Sequence, residues 1–540
     1  MRHIALLLLL LISSYRLFAD GYELSETVKL PLTGWNKVLQ VSNGNTMLFH
    51  LEPRMPIIVK VFDKDRKEIA SEKFLGKLID MMALERSEIH GIYEINGEAV
   101  IFISQAVLNK ETLVRACFNI ETGKLKAEKK VIESQSFKKR LSFSLVRDTM
   151  HGGYAVFCMK DLVANYEDDP WLEVFDEQHN SIKKVVYKTN RAEFDFTAHA
   201  STCIGNDGTI AVMLDCSKII NYTKENEHSI VTCYLPYGDT AFVMSITKLP
   251  RYVSTDYGFY SYNEFGKKLN IFLLGGTTMV YKNGLQTIQR PKFSAFMLRY
   301  LKSNMGDMDY SLVNYALANN QFSNPVDSTD PFMPLPLAVY TNKFGMNTLI
   351  SEDIKQNLLL KNRFTSHTYF GDIVVSQIND EGKEIWSTTL SKRQFLDHSV
   401  NRHTIKNRGR LSYVFRRADP EREWMEQFVS FNSIMTANGD CYIVHNDYKP
   451  NFEPEKQGFF APVSNYTDIG FMDTDAFYYK ISRKREVTKH YLFEPSESVN
   501  YAVSIESADY CTQNQTYACL LVQNKAGKKE LKMGWKKLDE

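Results

Sequence analysis

One unit recurs along the whole chain and constrains the fold more than any other feature: a strand, a glycine-bearing tight turn, and a second strand. Residues 37–41 lead through Asn43-Gly44-Asn45 into 46–51, and 92–95 through Asn96-Gly97 into 99–104. Residues 200–204 lead through Asn206-Asp207-Gly208 into 209–214, and 428–435 through Asn438-Gly439 into 441–444. The first five turn glycines are spaced by roughly 53 to 58 residues, and later gaps stretch to roughly 75–95. A second hairpin follows in the same unit. Its clearest copy is 371–387, GDIVVSQINDEGKEIWS, where a β-branched run meets Asn379-Asp380-Glu381-Gly382 and returns at Lys383-Glu384-Ile385-Trp386. Asparagine, aspartate and glycine supply the backbone angles that a two-residue reversal needs.

Four antiparallel strands per unit, repeated about eight times, predict an all-β chain folded as a β-propeller. A lone four-stranded sheet cannot bury both faces, whereas sheets packed radially in a ring cover one another. The count is about eight blades, or seven if one degenerate unit is over-counted. Two packed β-sandwich domains are the alternative. The last unit supplies only three strands, so 23–32 is expected to complete it and close the ring. Short helical insertions are expected in two places. Phe74, Leu75, Leu78, Ile79 and Met82 have helical spacing, and Ser351-Glu352-Asp353 reads as a helix cap before Ile354, Leu358 and Leu359.

Residues 1–19 read as a secretory leader: Arg2 and His3, an apolar run from Ile4 to Ile12 too short to span a bilayer, and Ala19 at the cleavage position. The rest, 20–540, is expected to form a single propeller domain, exported to the periplasm or secreted. No later stretch reads as a transmembrane segment. The full chain carries 65 basic and 64 acidic residues. Loss of Arg2 and Arg16 leaves 63 against 64, roughly −1, which gives no support to nucleic-acid binding. Among eight cysteines there is no Cys-x-x-Cys pair. Cys511 and Cys519 form a candidate disulfide if the hairpin tip lies near Gln515; two small buried thiols are the alternative.

In a propeller, the turns between strands one and two and between three and four open on one face. The short glycine turns fall there. The long insertions, near 351–370, 392–427 and 446–475, open on the other face. Long loops on a rigid scaffold are where binding or catalysis is usually placed. On that face Tyr442-Ile443-Val444-His445-Asn446-Asp447-Tyr448 ends a strand in polar residues. His445 and Asp447 lie two apart and share a strand face, so with Tyr448 they are candidates for a metal or polar ligand. A hydrogen-bonded structural turn is the alternative. The 392–417 stretch is strongly basic and holds His398, Arg402 and His403, which could meet a carboxylate or phosphate, or could be a solvated loop paired with Glu421, Glu423 and Glu426.

No G-x-S-x-G, H-E-x-x-H, phosphate loop, dinucleotide fingerprint or calcium loop is present. No cofactor is called for by any motif. The segment Gly371-Asp372-Ile373-Val374-Val375 through Gly382-Lys383-Glu384-Ile385-Trp386, followed by Lys392-Arg393-Gln394, resembles exported bacterial proteins with propeller-like repeats, and Gly439 to Asp447 resembles a strand of the same group. That resemblance implies an exported bacterial setting and no specific activity. The expectation is a binding or scaffold protein acting through its loop-rich face on a protein, glycan or small molecule. A propeller hydrolase or lyase acting on polysaccharide or peptide is the second hypothesis, since such sites are assembled from several blades.

Overall fold

The computed structural model describes residues 21–538 apart from a set of connections, the longest being 161–168, 314–333, 357–367, 399–412, 453–462 and 465–473; between 250 and 333 it describes backbone pairing alone. The chain is all-β, with almost no helix, and forms a β-propeller. Seven four-stranded blades carry described side chains. In chain order they occupy 35–74, 88–133, 141–186, 196–248, 334–390, 431–491, and 499–537 completed by 22–24. One further four-stranded sheet, 253–313, is given by its backbone ladder. Its first strand, Val253–Asn263, contacts both Phe196–Ile204 and Pro334–Thr341.

Strand composition follows position in the blade. The second strands are buried on both faces: every residue of Thr46–Leu51, and Cys441 through Asp447, is shielded from solvent. Runs such as Met47-Leu48-Phe49 suit this, because neighbouring blades cover both sides. The outermost strands alternate instead. Glu68–Phe74 and Ser181–Val186 expose Glu68, Lys73, Lys184 and similar residues, which keeps the sheet edge soluble and unpaired. The 371–387 hairpin forms as its sequence demands: Ile373, Val374 and Val375 are all buried, and Gly382 at φ 82° makes the turn.

The ring closes with its two ends. Tyr22–Leu24 pairs antiparallel with Lys528–Lys537, Tyr22 opposite Lys536, and the pairing continues through Ser25 N to Met533 O at 2.9 Å and Val28 N to Leu531 O at 2.7 Å. The closing blade then packs on the first. Trp535 meets Phe62 edge to face, donates to Thr46 Oγ1 at 3.0 Å and lies under the Arg66 guanidinium.

The insertion between the 334–390 and 431–491 blades is a strap rather than a free loop. Tyr413–Val414 adds to the inner edge of the 88–133 blade, Tyr413 opposite Ile89, and the Tyr413 ring stacks on Trp35 at 5.2 Å. The short helix Pro420–Glu426 follows and buries Trp424. Gln427 then bridges first and last blades: its side chain accepts from Asn36 N at 3.0 Å and donates to Gly34 O at 2.7 Å, while its carbonyl accepts from Glu506 N.

Neither expected helix is found among the described residues; Leu358 and Leu359 lie outside them. The 71–89 stretch continues as the strand Glu68–Phe74 and holds only one 3-10 turn, Ala83–Arg86; Leu75 and Met82 are 68% and 64% exposed, so their spacing marks no buried face. Ser351-Glu352-Asp353 lies inside the strand Asn347–Gln356, because the Glu352 carboxylate is held by Lys392, forty positions on, instead of capping a helix.

Candidate functional site

Strand alternation splits the sequence-predicted cluster into two faces. Asn446 points to the closing blade, where its amide donates to Phe428 O and Val503 O at 2.8 and 2.7 Å and accepts from Val503 N at 2.8 Å. His445 and Asp447 point the other way and are both 0% exposed. The imidazole stacks on Tyr479, centroids 5.3 Å apart and planes within 5°, and its Nε2 lies 4.0 Å from Asp447 Oδ2. Asp447 Oδ1 accepts from Tyr448 N and Asn451 Nδ2, both at 2.8 Å. Lys489 comes in from the outer strand, donates to Asn451 O at 3.0 Å and lies over the rings of Phe477 and Tyr479.

Burial governs the charge states here. It pushes the Asp447 carboxyl up to about 6, against the pull of Lys489 and of the Asn451 and Tyr448 donors. It drives His445 well below its usual range, with Lys489 and Lys392 adding to the effect. It also lowers Lys489, which Asp447 partly restores. The imidazole is therefore neutral at pH 7, and its approach to Asp447 is not an ion pair.

Beside this cluster runs a second buried network. Lys392 Nζ lies 2.5 Å from Glu352 Oε1 and donates to Phe370 O and Gln394 Oε1. Ser430 Oγ donates to the other Glu352 oxygen, Ser430 N to Gln394 Oε1 at 2.6 Å, and Gln394 Nε2 to Asn446 O at 2.7 Å. His398 Nε2 lies 3.1 Å from Glu426 Oε1, both buried. These contacts knit the strap to two blades. They place Lys392 and His398, read from sequence as members of a basic ligand loop, in the interior.

The trimmed face carries an open cavity of about 800 Å³ between the 334–390 and 431–491 blades. Three tight turns shape it: the turn after Thr341, the turn at Thr436–Gly439, and the hairpin tip Arg483-Lys484-Arg485. Its lining is amide, hydroxyl and cation: Asn342, Gln377, Asn438, Thr348, Thr436 and the three basic residues, with Met346 and Met435. No carboxylate, imidazole or thiol is among the described residues that line it. Arg485, at φ 70°, donates Nε to Gln377 Oε1 at 3.0 Å. Asp440 is occupied at one side by Arg483 N and Lys480 Nζ. Tyr340 at the wall donates to Ser433 O at 2.7 Å, and burial raises its phenol beyond any role as an acid near neutral pH.

Of the sequence-predicted residues, the structure brings His445 and Asp447 together and leaves Tyr448 half-buried beside them. It separates His398 from them, on Glu426. Arg402 and His403 lie outside the described residues. The expected Cys511–Cys519 bridge is not formed. Cys511 stands opposite Thr516, and Cys519 is opposite Gly534 with its thiol on the Gly534 carbonyl; both are free. The hairpin register sets this, because β pairing leaves the two thiols three rungs apart. Of the cavity residues, Asn438 and Gly439 were singled out from sequence as a turn; three consecutive cations at 483–485 were a visible signal.

No family model and no curated protein matches the chain. Solved structures with some likeness include one from a study of two prolyl endopeptidases (9% identity, 76% of this chain, 54% of that one, TM-score 0.34). Others are the BP39L lectin from Burkholderia pseudomallei (8% identity, 68% of this chain, 97% of that one, TM-score 0.33) and the polysaccharide lyase Uly1 (8% identity, 83% and 90%, TM-score 0.36). The chain thus spans about half the length of the endopeptidase it matches. No helix among the described residues is long and apolar enough to cross a membrane.

Proposed function

We propose that the chain is an exported, eight-bladed β-propeller that binds an anionic ligand, a carboxylated or sulfated glycan or small molecule, in the cavity on its trimmed face. The 253–313 sheet supports the eighth blade, since it has the same four-strand order and an inner strand touching both neighbours. The leader at 1–19 supports export. The observation that carries the binding reading is the composition of the cavity. Three cations and several amides converge on about 800 Å³ of open space, with no acid or general base among the described residues that line it. Guanidinium groups take planar oxyanions in paired hydrogen bonds, and amides and threonines suit glycan hydroxyls.

The test is calorimetric titration of the full chain with a heparin-derived hexasaccharide and with neutral maltohexaose. Binding of the acidic ligand alone, weakening with salt, is expected. Arg483→Ala with Lys484→Ala is expected to weaken it at least about tenfold, because hydrogen bonds to charged groups contribute about 1.5–3 kcal/mol each. Arg485→Asn is the third variant, since asparagine accepts the left-handed backbone there. Equal affinity in the double variant, or no binding by the parent, overturns the proposal.

A second reading, a hydrolase or lyase acting on polysaccharide or peptide, is favoured by one observation: three adjacent groups, His445, Asp447 and Lys489, with protonation shifted by burial. Release of new reducing ends from an acidic glycan, lost in Asp447→Asn, would support it over simple binding.

A further inference from the structure

We propose that Glu98, Cys117 and His179 form a binding site for a borderline-soft divalent metal such as zinc, held between two neighbouring blades and open to a fourth ligand from solvent. The three side chains meet at the trimmed face, away from the cavity. Glu98 opens the strand Glu98–Val107 directly after the left-handed pair Asn96 and Gly97. Cys117 lies on the next strand, opposite Val100, and Glu98 is opposite Asn119, so the carboxylate and thiol are diagonal neighbours on one sheet face. His179 belongs to the next blade, in the turn between Trp171–Phe175 and Ser181–Val186. Its own left-handed backbone, φ 67°, throws the ring across the interface.

The geometry is close to what a metal requires. The three ligand atoms all lie within 4.8 Å of one another, and Cys117 Sγ is 3.9 Å from His179 Nε2. A tetrahedral zinc with its usual bond lengths to sulfur and imidazole nitrogen holds those two atoms about 3.6 Å apart, so a shift of a few tenths of an ångström suffices. Carboxylate, thiol and imidazole together select zinc-like ions over calcium or magnesium, which prefer oxygen. His179 Nε2 faces the Cys117 thiol across the blade interface, and the other ring nitrogen is shielded from solvent, so Nε2 is the nitrogen turned toward the shared space. Cys117 itself is buried, while Glu98 and His179 are only partly covered, which leaves a route in from solvent.

Charged neighbours set the terms of binding. Lys126 pairs with Glu98 Oε1, and the same carboxylate meets the Cys117 thiol. Arg115 lies beside the thiol and donates to Tyr154 OH, and Lys129 and Asp176 face His179. A neutral imidazole offers one ring-nitrogen lone pair to an ion. A cysteine without a metal is mostly a thiol at pH 7, whereas the ion takes the thiolate. Binding must therefore exchange a proton for the ion: the S–H bond breaks, a sulfur–metal bond forms, and one proton leaves to solvent.

The experiment uses the full chain, stripped of metal with EDTA and titrated with cobalt(II), which reports thiolate ligation by a charge-transfer band in the near ultraviolet. One equivalent giving that band, about one proton released per ion near pH 7, and displacement by zinc are expected. Zinc at a hundredfold excess over its dissociation constant should also raise the melting temperature measurably. Cys117→Ser should abolish the band, and His179→Gln should weaken cobalt binding at least about tenfold, with the metal-free melting temperatures unchanged. A chain that shows no thiolate band overturns the proposal. A band of full strength in Cys117→Ser overturns it equally, since the ion would then sit on another of the eight cysteines.

Discussion

Asp447 and His445 are buried together, and they respond to acid in opposite senses. Between about pH 4 and 6 the folded protein holds a proton on Asp447 that the unfolded chain has released, so this carboxyl's contribution to stability falls as pH rises through that window. His445 runs the other way: below its ordinary 6.5 the unfolded chain takes up a proton that the buried ring refuses, so its contribution falls as pH drops. Asp447→Asn should therefore stabilise the protein at pH 7 by about 1–3 kcal/mol and lose that advantage near pH 4. Urea unfolding at both pH values checks this, and a variant less stable than the parent at pH 7 contradicts it. Lys392 has the opposite standing. Lys392→Met leaves the Glu352 carboxylate buried and uncompensated, and should cost about 3–5 kcal/mol; adding Glu352→Gln should return part of that loss. Sequence alone showed that His445 and Asp447 share a face, because alternation is local. It could not show that the face points inward, since Tyr479 and Lys489, which cover it, come from later strands of the blade.

At the scale of elements, hairpins were legible and long connections were not. The turn at 379–382 carries its own instructions in asparagine and glycine, and 371–387 folds as they specify. The 392–430 insertion carries no such local code. It looked like a solvated basic loop, yet Tyr413 is buried against Trp35 and Phe415, and Trp424 meets Phe428 edge to face. What fixes it is contact with residues hundreds of positions away, such as Asn36 and Gly34 on Gln427. Tyr413→Ala should remove a full ring from this packing and cost about 3–5 kcal/mol in thermal or urea unfolding, whereas an alanine in a free loop would change stability by less than about 0.5 kcal/mol. The failed helix at 71–89 teaches the same lesson from the other side: Phe74 and Ile79 reach the core from a strand and an irregular connection, and Leu75 and Met82 are left exposed.

For the whole molecule, the repeat announced the ring because each unit brings its own four strands and only packing between units is non-local. The trimmed face was legible as well, since short turns are a sequence property. Its two proposed sites were not, because each is built between blades: the cavity from the turns of two sheets, the Glu98–Cys117–His179 cluster from another two. The closure between Tyr22–Leu24 and Lys528–Lys537 has a further consequence, in the order of events during synthesis. Ser25 and Met533, joined by hydrogen bonds, are 508 residues apart in the chain. A ribosome emits the blades one after another, each able to pair its own strands at once. The ring cannot shut until the last strand emerges. Until then the growing chain is an open arc with an unsealed edge at its leading end. A chain released before Lys528 should keep its early hairpins and aggregate through that edge.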